Sequence, residues 1–235
     1  MNMMSLFIAT ATLAMLPSLS YADDKHAGHA GMDHSTMDHS KHQAMLKSAG
    51  QESQTYKEQA LTIPNVLLLN EYGQEVAVME DLVKDKIVVI NTIYTTCTTV
   101  CPVMGVQFAQ LQKVLKKRFG SEKIAEQIQL VSISIDPLND TPQSLRSWKS
   151  NFSGGPGWTL LTGSQKNIER ILKATGLFAA DPKEHTPITL VGSAKLGQWT
   201  RLSGLGPAKQ IAGLLDDLMT SNQTLAAADK TIKEH

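Results

Sequence analysis

The fold of this chain is decided by residues 86–120, KIVVINTIYTTCTTVCPVMGVQFAQLQKVLKKRFG. The aliphatic run at residues 87–90 and the β-forming residues after it predict a strand that is buried on both faces. A helix is predicted to follow, because apolar side chains then recur at steps of three and four. These side chains are Met104, Phe108, Leu111 and Leu115. Pro102 suits the first helical turn, and Gly120 suits the end of the helix.

Cys97 and Cys101, the only two cysteines of the chain, lie between the predicted strand and the predicted helix. Free backbone N–H groups and the helix dipole favour thiolate there, so we expect at least one reactive, metal-binding cysteine. Residues four apart on a helix hold their Cβ atoms about 5–6 Å apart, whereas a disulfide needs about 3.5–4.5 Å. The spacing therefore favours a soft metal ion between two sulfurs, and it leaves redox chemistry open with some local distortion.

Composition limits the classes of function. The 235 residues are 42% hydrophobic and 19% charged, enough for one core of roughly 150–170 residues and some additional segments. The 22 basic and 22 acidic residues cancel, so no overall field attracts the chain to nucleic acid, and no nucleic-acid partner is expected. Two cysteines cannot form a disulfide scaffold, so the core must depend on apolar packing.

Residues 1–22 are predicted to be a cleaved signal peptide. An apolar stretch at residues 5–20 breaks at Pro17 and ends in Ser20-Tyr21-Ala22, a small-x-small cleavage pattern. The stretch is shorter than the ~20 residues that a membrane span needs, so no stable membrane anchor is expected once the signal is cleaved. The sequence therefore predicts an exported protein, in the periplasm of a bacterium or in another space outside the cytoplasm.

Residues 23–60 have the composition of a disordered arm, with many polar and few aromatic residues. The arm contains HAGHAGMDHSTMDHSKHQAM, in which MDHS occurs twice, and it holds five of the seven histidines. Imidazole and thioether groups suit copper in both oxidation states, so we expect weak copper capture, with nickel or zinc also able to bind. The accessory ligands would be His26, His29, Met32, His34, Met37, His39, His42 and Met45.

Residues 61–221 are predicted to form one α/β domain, followed by a C-terminal tail at residues 222–235. An N-terminal hairpin extension is expected at residues 66–78. Further strands and helices alternate after the central unit, which predicts a mixed central sheet flanked by helices. Ligands of such sheets bind beyond the carboxyl ends of the strands, where the cysteine loop lies.

His185 is the candidate third ligand. It is the only histidine outside the arm and the C-terminal residue, and it immediately precedes a predicted strand. Two thiolates and one imidazole suit copper(I), and with an added ligand they accept copper(II). The pattern alone leaves open a solvent-facing loop histidine. Asp136 and Asp140, in the loop after the second interior strand, are either extra ligands or, more commonly for such loops, local turn residues.

Four motifs in order, TTCTTVCP, VSISIDPLNDTP, WTLLTG and EHT, resemble the Sco/SenC family of thioredoxin-like copper proteins. The resemblance extends over residues 63–218. It implies a thioredoxin-like fold, copper held by Cys97, Cys101 and His185, and assembly of the copper centre of cytochrome c oxidase, with an oxidase subunit as the copper acceptor. It also implies an alternative, a thiol-disulfide oxidoreductase in which Cys97 and Cys101 are catalytic and reduce cysteines of a partner protein.

The chain departs from the usual pattern of that family at the predicted site. Thr98 and Thr99 stand where Pro and Asp are usual, and Glu184 stands where Asp usually precedes the histidine. An acidic neighbour of the cysteines is therefore missing from the motif, which bears on the tuning of copper affinity. A non-catalytic copper metallochaperone and a dithiol oxidoreductase remain as two hypotheses.

Overall fold

The structure is a computed structural model that describes residues 53–58, 61–203 and 205–233. The predicted signal peptide and all eight accessory ligands of the arm lie outside these residues. Within them, no helix combines the length and the apolar character that crossing a membrane requires.

An eight-stranded mixed sheet forms the centre of the fold. Its strands are β1 (Gln54–Glu58), β2 (Leu67–Asn70), β3 (Glu75–Ala77), β4 (Ile87–Ile93), β5 (Ile128–Ser134), β6 (Trp158–Thr162), β7 (Ile188–Ser193) and β8 (Gln198–Ser203). Their order across the sheet is β1-β8-β7-β4-β5-β6-β2-β3. The central strands β4, β5 and β6 are parallel, and the outer pairs are antiparallel. The predicted α/β fold, with a mixed central sheet and an N-terminal hairpin extension (β2 and β3), is confirmed.

Helices cover both faces of the sheet. They are α1 (Val100–Gln127), α2 (Pro142–Ser150), α3 (Gln165–Ala174) and α4 (Ala208–Lys233), with a π-helical segment at Val78–Val83 and a 3-10 turn at Pro182–Glu184. Apolar side chains of α1, α2 and α4 pack in one hydrophobic cluster, which also contains Cys97 and Cys101. Side chains of α3 and of the π-helical segment pack in a second cluster on the other face.

The central strand β4 divides its side chains between the two clusters. Val89 and Ile93 belong to the cluster beneath α1, whereas Val88 and Ile90 belong to the cluster beneath α3. All seven residues of β4 are buried, as predicted for a strand covered on both faces. This burial fixes the end of β4, and with it the start of the cysteine loop.

Helix α1 extends beyond its predicted end, although Gly120 interrupts it as expected. Gly120 has φ 78° and ψ 162°, a backbone conformation that favours glycine, and the helical segment after it runs on to Gln127. The interruption gives the chain a bend before β5 begins at Ile128.

Two segments at the edges of the domain differ from the sequence prediction. Residues 54–58, assigned to the disordered arm, form β1 and pair antiparallel with β8. The side chains of residues 54–57 are exposed, so no apolar alternation indicates the strand, and backbone hydrogen bonds to β8 hold it. Residues 222–233, assigned to the C-terminal tail, continue α4. Three consecutive alanines at residues 226–228 supply high helix propensity there without an apolar face.

Candidate metal centre

The cysteine loop connects β4 to α1 and holds both sulfur atoms inside the protein. The Cys97 backbone N–H donates to the Tyr94 carbonyl at 3.2 Å, which turns the chain at the end of the strand. One helical turn later, the Cys101 backbone N–H donates to Cys97 Sγ at 3.4 Å. The Thr99 hydroxyl oxygen lies 3.6 Å from the same sulfur. Both cysteines are reduced and buried, so the loop presents two neighbouring thiols at the start of a helix.

The two sulfurs differ in acidity. The pKa of Cys97 is lowered to about 4, chiefly because the Cys101 thiol donates a hydrogen bond to it, with the Cys101 backbone N–H and the Thr99 hydroxyl adding to the effect against burial. The pKa of Cys101 is raised, chiefly by the same thiol–thiolate bond and then by burial. At neutral pH the pair is therefore one thiolate, Cys97, beside one thiol, Cys101.

The side chain of Asp140 holds the start of this loop through hydrogen bonds. Its carboxylate accepts hydrogen bonds from the Thr95 backbone N–H at 3.1 Å and the Thr95 hydroxyl at 2.5 Å. It accepts a third from the Ser134 hydroxyl at 2.6 Å. Asp136 makes only local contacts, accepting from the Asn139 side-chain amide at 2.9 Å, as expected of a turn residue. Asp140 differs from that expectation, because its side chain joins the cysteine loop to the end of β5.

His185 is a buried histidine with one nitrogen free. Its ring Nδ1 lies 3.1 Å from the Pro182 carbonyl oxygen. Because a carbonyl can only accept, Nδ1 carries the proton of the neutral ring, and Nε2 of that tautomer has the lone pair. Nε2 is buried and has no hydrogen-bond partner. The alternative of a solvent-facing loop histidine is therefore wrong, since the residue is only 9% exposed.

Tyr94 contacts both Cys97 and His185. Its ring packs edge-on against His185, with 5.9 Å between ring centroids and 78° between ring planes. Burial, and then a hydrogen bond to the Cys97 side chain, raise the pKa of Tyr94 to about 12. Tyr94 therefore contacts two of the three predicted ligands. The sequence predicts Tyr94 only as the end of a strand, because nothing in its spacing indicates this contact.

The structure brings Cys97 and Cys101 together and leaves His185 one aromatic side chain away. Among residues 53–58, 61–203 and 205–233, no three His, Cys, Asp or Glu side chains are arranged closely enough to hold a metal ion. The donor set itself suits a soft ion, with one thiolate, one thiol that can lose its proton, and one unpartnered imidazole nitrogen. A bound metal ion would give the buried Nε2 of His185 the partner that it lacks.

Residues 54–233 match the family model described as SCO1/SenC. The chain is 36% identical over 102 residues to a SCO1 protein homolog of Bacillus subtilis (strain 168), covering 43% of this chain and 49% of that protein. It is 35% identical over 86 residues to a Stutzerimonas stutzeri protein named as a candidate copper-binding protein, covering 36% of this chain and 38% of that protein. These alignments thus span about half or less of each relative.

A solved structure of a SCO1/SenC family lipoprotein from Bacillus anthracis str. Ames is similar over most of this chain. The two share 26% sequence identity and a TM-score of 0.57, over 68% of this chain and 96% of that one. The family model spans the whole of the sheet and its helices, from β1 to α4. This chain belongs to the SCO1/SenC family.

Proposed function

We propose that this chain is an exported copper metallochaperone. It holds one copper ion through Cys97, Cys101 and His185 and delivers the ion to the copper centre of a partner protein, such as a subunit of cytochrome c oxidase. The observation that carries the proposal is the free Nε2 of His185, buried one side chain away from a thiolate–thiol pair. Membership of the SCO1/SenC family and the copper-binding name of one relative support it.

The available donors favour copper over zinc. Cys97, Cys101 and His185 are the only cysteines and histidine within the described residues. Structural zinc sites almost always use four protein ligands, whereas three soft or borderline donors suit copper(I) and, with an added ligand, copper(II). When the ion binds, Cys101 gives up its proton and the site presents two thiolates and one imidazole.

We propose that copper binding at this site rearranges Tyr94. The Tyr94 ring packs against His185, and its hydroxyl is a partner of Cys97, so it contacts two of the proposed ligands. An aromatic edge contact contributes about 0.5–1.5 kcal/mol beyond its area burial. Copper–thiolate and copper–imidazole bonds are much stronger than this contact, so metal binding can displace the ring and let His185 approach the sulfurs.

Copper(I) competition titrations test the ligand set. The reduced mature chain should hold one copper(I) tightly, and Cys97→Ala or Cys101→Ala should abolish tight binding. His185→Ala should weaken it by at least about tenfold, since even loss of an outer-shell partner of a metal ligand costs 10–100-fold. Thr186→Ala is the matched control on the same loop and should bind as the wild type does. Unchanged affinity in His185→Ala would show that the three-ligand site is wrong.

The histidine- and methionine-rich arm is proposed to gather copper near the tight site. Deleting residues 23–45 removes His26, His29, Met32, His34, Met37, His39, His42 and Met45. The deletion should remove several weakly bound copper equivalents and spare the tight one, which equilibrium dialysis at low and high free copper separates. An unchanged total stoichiometry would make the arm an inert segment.

Export to the periplasm is proposed from the pattern of residues 1–22. Amino-terminal sequencing of the protein recovered from the periplasmic fraction should then give a mature end near Asp23. Recovery of the intact residues 1–22 in the membrane fraction would instead indicate a retained anchor.

A second candidate function is thiol-disulfide exchange, which the split acidity of the cysteine pair favours. The Cys97 thiolate would attack a partner disulfide and expel one partner thiolate, forming a mixed disulfide. Cys101, losing its proton, would then attack Cys97 Sγ and release the second partner thiolate, leaving a Cys97–Cys101 disulfide. Cys101→Ser should trap the mixed disulfide, and His185→Ala should leave the exchange rate unchanged. Absence of any trapped species would count against this function.

A further inference from the structure

Asp140 is a buried carboxylate without a positively charged partner in the described part of the chain. It is 1% exposed, comparable to Glu71 at 2%. Glu71 is paired with the buried Lys149, whereas the ion pairs found within the described residues do not include Asp140. An unpaired buried charge costs several kcal/mol, so its presence beside a reactive site calls for a functional reason.

Burial raises the pKa of Asp140, and hydrogen bonds from Ser134 and Thr95 oppose that rise by favouring the carboxylate. Ser134 Oγ accepts a hydrogen bond from the Asp136 backbone N–H at 3.0 Å, which leaves its own proton to donate to Asp140. The Thr95 backbone N–H can only donate, and it lies 3.1 Å from one carboxylate oxygen and 3.2 Å from the other. The hydroxyl contacts, at 2.5 and 2.6 Å, have the short length typical of O–H···O⁻ bonds. Three donors therefore hold the Asp140 side chain and favour its charged form.

The carboxylate of Asp140 is bonded to the cysteine loop. Thr95, which donates hydrogen bonds to the carboxylate, lies in the cysteine loop two residues before Cys97. The negative charge of Asp140 is also among the causes that raise the pKa of Cys101. Because Asp140 is buried, water and salt screen this interaction little.

We propose that Asp140 is a positioning residue whose fixed charge biases the cysteine site towards its more positive states, copper(II) over copper(I) and disulfide over dithiol. For copper, the inference rests on the proposed function. Copper(I) binding that expels the Cys101 proton leaves the net charge of the site unchanged, whereas copper(II) binding adds one positive charge. A neighbouring carboxylate therefore stabilises copper(II) binding and does not stabilise copper(I) binding.

The same bias acts on the cysteines without any metal. When glutathione disulfide oxidises the Cys97 thiolate and the Cys101 thiol, the pair loses two electrons and one proton and forms an S–S bond. Glutathione disulfide takes up the two electrons, that proton and one further proton from solvent, giving two glutathione thiols. The site thereby loses one negative charge, so a nearby carboxylate favours the disulfide.

Asp140→Asn tests the inference, since it keeps the shape of the side chain and removes the charge. Copper(II) affinity should fall by about tenfold, the effect of one poorly screened charge, while copper(I) affinity stays within about threefold. In glutathione buffers at pH 7, the dithiol–disulfide equilibrium should shift by about tenfold towards dithiol. Competition titrations with each copper ion and mass spectrometry of the quenched cysteine pair measure these quantities in the mature chain.

Two further variants separate charge from structure. Asp136→Asn removes a carboxylate from the same loop, but Asp136 is only half-buried and is bonded to Asn139, so both equilibria should change less than twofold. Thr95→Val removes the 2.5 Å hydrogen bond and leaves the charge of Asp140 in place. The ratio of copper(II) to copper(I) affinity should therefore be unchanged in Thr95→Val.

The outcomes distinguish this inference from the proposed function. One contrary result is that Asp140→Asn and Thr95→Val weaken the binding of copper(I) and copper(II) equally and leave the glutathione equilibrium unshifted. That result would give Asp140 only a structural role and would overturn the inference. If the wild type binds no copper at the cysteines, the proposed function fails, and the glutathione equilibrium of Asp140→Asn still decides the role of the charge.

Discussion

Replacing Cys101 with alanine should remove the main reason why Cys97 is a thiolate at neutral pH. The pKa of Cys97 is lowered from 9.0 to about 4, and the hydrogen bond from the Cys101 thiol is the largest cause. Alanine deletes that donor and leaves the weaker ones, the residue-101 backbone N–H at 3.4 Å and the Thr99 hydroxyl at 3.6 Å. The pKa of Cys97 should therefore return most of the way to its ordinary value. Cys101→Ser is the matched control, because a serine hydroxyl can still donate.

The pH dependence follows from these values. With a pKa of about 4, Cys97 is fully ionised at pH 7, so its alkylation rate should be flat from pH 6 to 9 and should fall about tenfold per pH unit below pH 4. With a pKa near 9.0, about 1% would be thiolate at pH 7, and the rate would climb about tenfold per pH unit up to pH 8. Cys101→Ala should approach the rising profile of a cysteine with a pKa near 9.0. Cys101→Ser should keep most of the flat profile of the wild type.

Pulsed alkylation with iodoacetamide, followed by mass spectrometry, measures these profiles directly. Cys97 is the sole cysteine in both variants, so the modified residue is unambiguous. Far-UV circular dichroism at each pH confirms that the chain stays folded. Identical flat profiles in Cys101→Ala and Cys101→Ser would show that the thiol of Cys101 is not the cause. Rising profiles in both variants and in the wild type would refute the lowered pKa itself.

Three substitutions away from the sulfurs test how the fold holds the site. Lys149→Met should destabilise the protein by about 3–5 kcal/mol, because it leaves the buried Glu71 carboxylate, 2.6 Å from Lys149 Nζ, without its cation. Gly105→Ala should cost about 1–3 kcal/mol, since the new Cβ would lie 2.5 Å from Phe152 Cε2. Thr141→Ala should cost about 1 kcal/mol by removing the N-cap of α2. Urea unfolding of each variant against the wild type measures these differences.

Each of these substitutions has a control within the chain. Lys84→Met breaks an exposed ion pair with Glu80 and should cost less than about 1 kcal/mol. Gly155→Ala places a methyl group where nothing lies within 4 Å, so its effect should be small. Thr141→Ser keeps the capping oxygen. If a control variant loses as much unfolding free energy as the variant that it is matched with, the stated cause is refuted.

The sequence was sufficient for the centre of the fold and for the cysteine pair. The unbroken aliphatic run of β4 requires cover on both faces, and the helical period after Cys101 places α1 over one of them. Both signals are local and strong, so the position of Cys97 and Cys101 at the carboxyl end of the sheet follows from them. The resemblance carried by four short motifs agrees with the family match over residues 54–233.

What the sequence left undetermined depends on tertiary contacts. The edge strand β1 exists because β8 offers it hydrogen-bond partners, and its exposed side chains give no apolar pattern. Asp140 has the sequence context of a turn residue, and only the approach of Thr95 to it reveals a buried charge. Likewise, spacing along the chain does not show that Tyr94 contacts both Cys97 and His185.

The claim that Cys97, Cys101 and His185 share one copper ion is tested most directly by X-ray absorption spectroscopy of the reduced mature chain loaded with one copper(I). We expect two sulfur atoms and one imidazole nitrogen around the metal, and loss of the nitrogen alone in His185→Ala. A spectrum with sulfur only, or the same spectrum in the wild type and in His185→Ala, would contradict it.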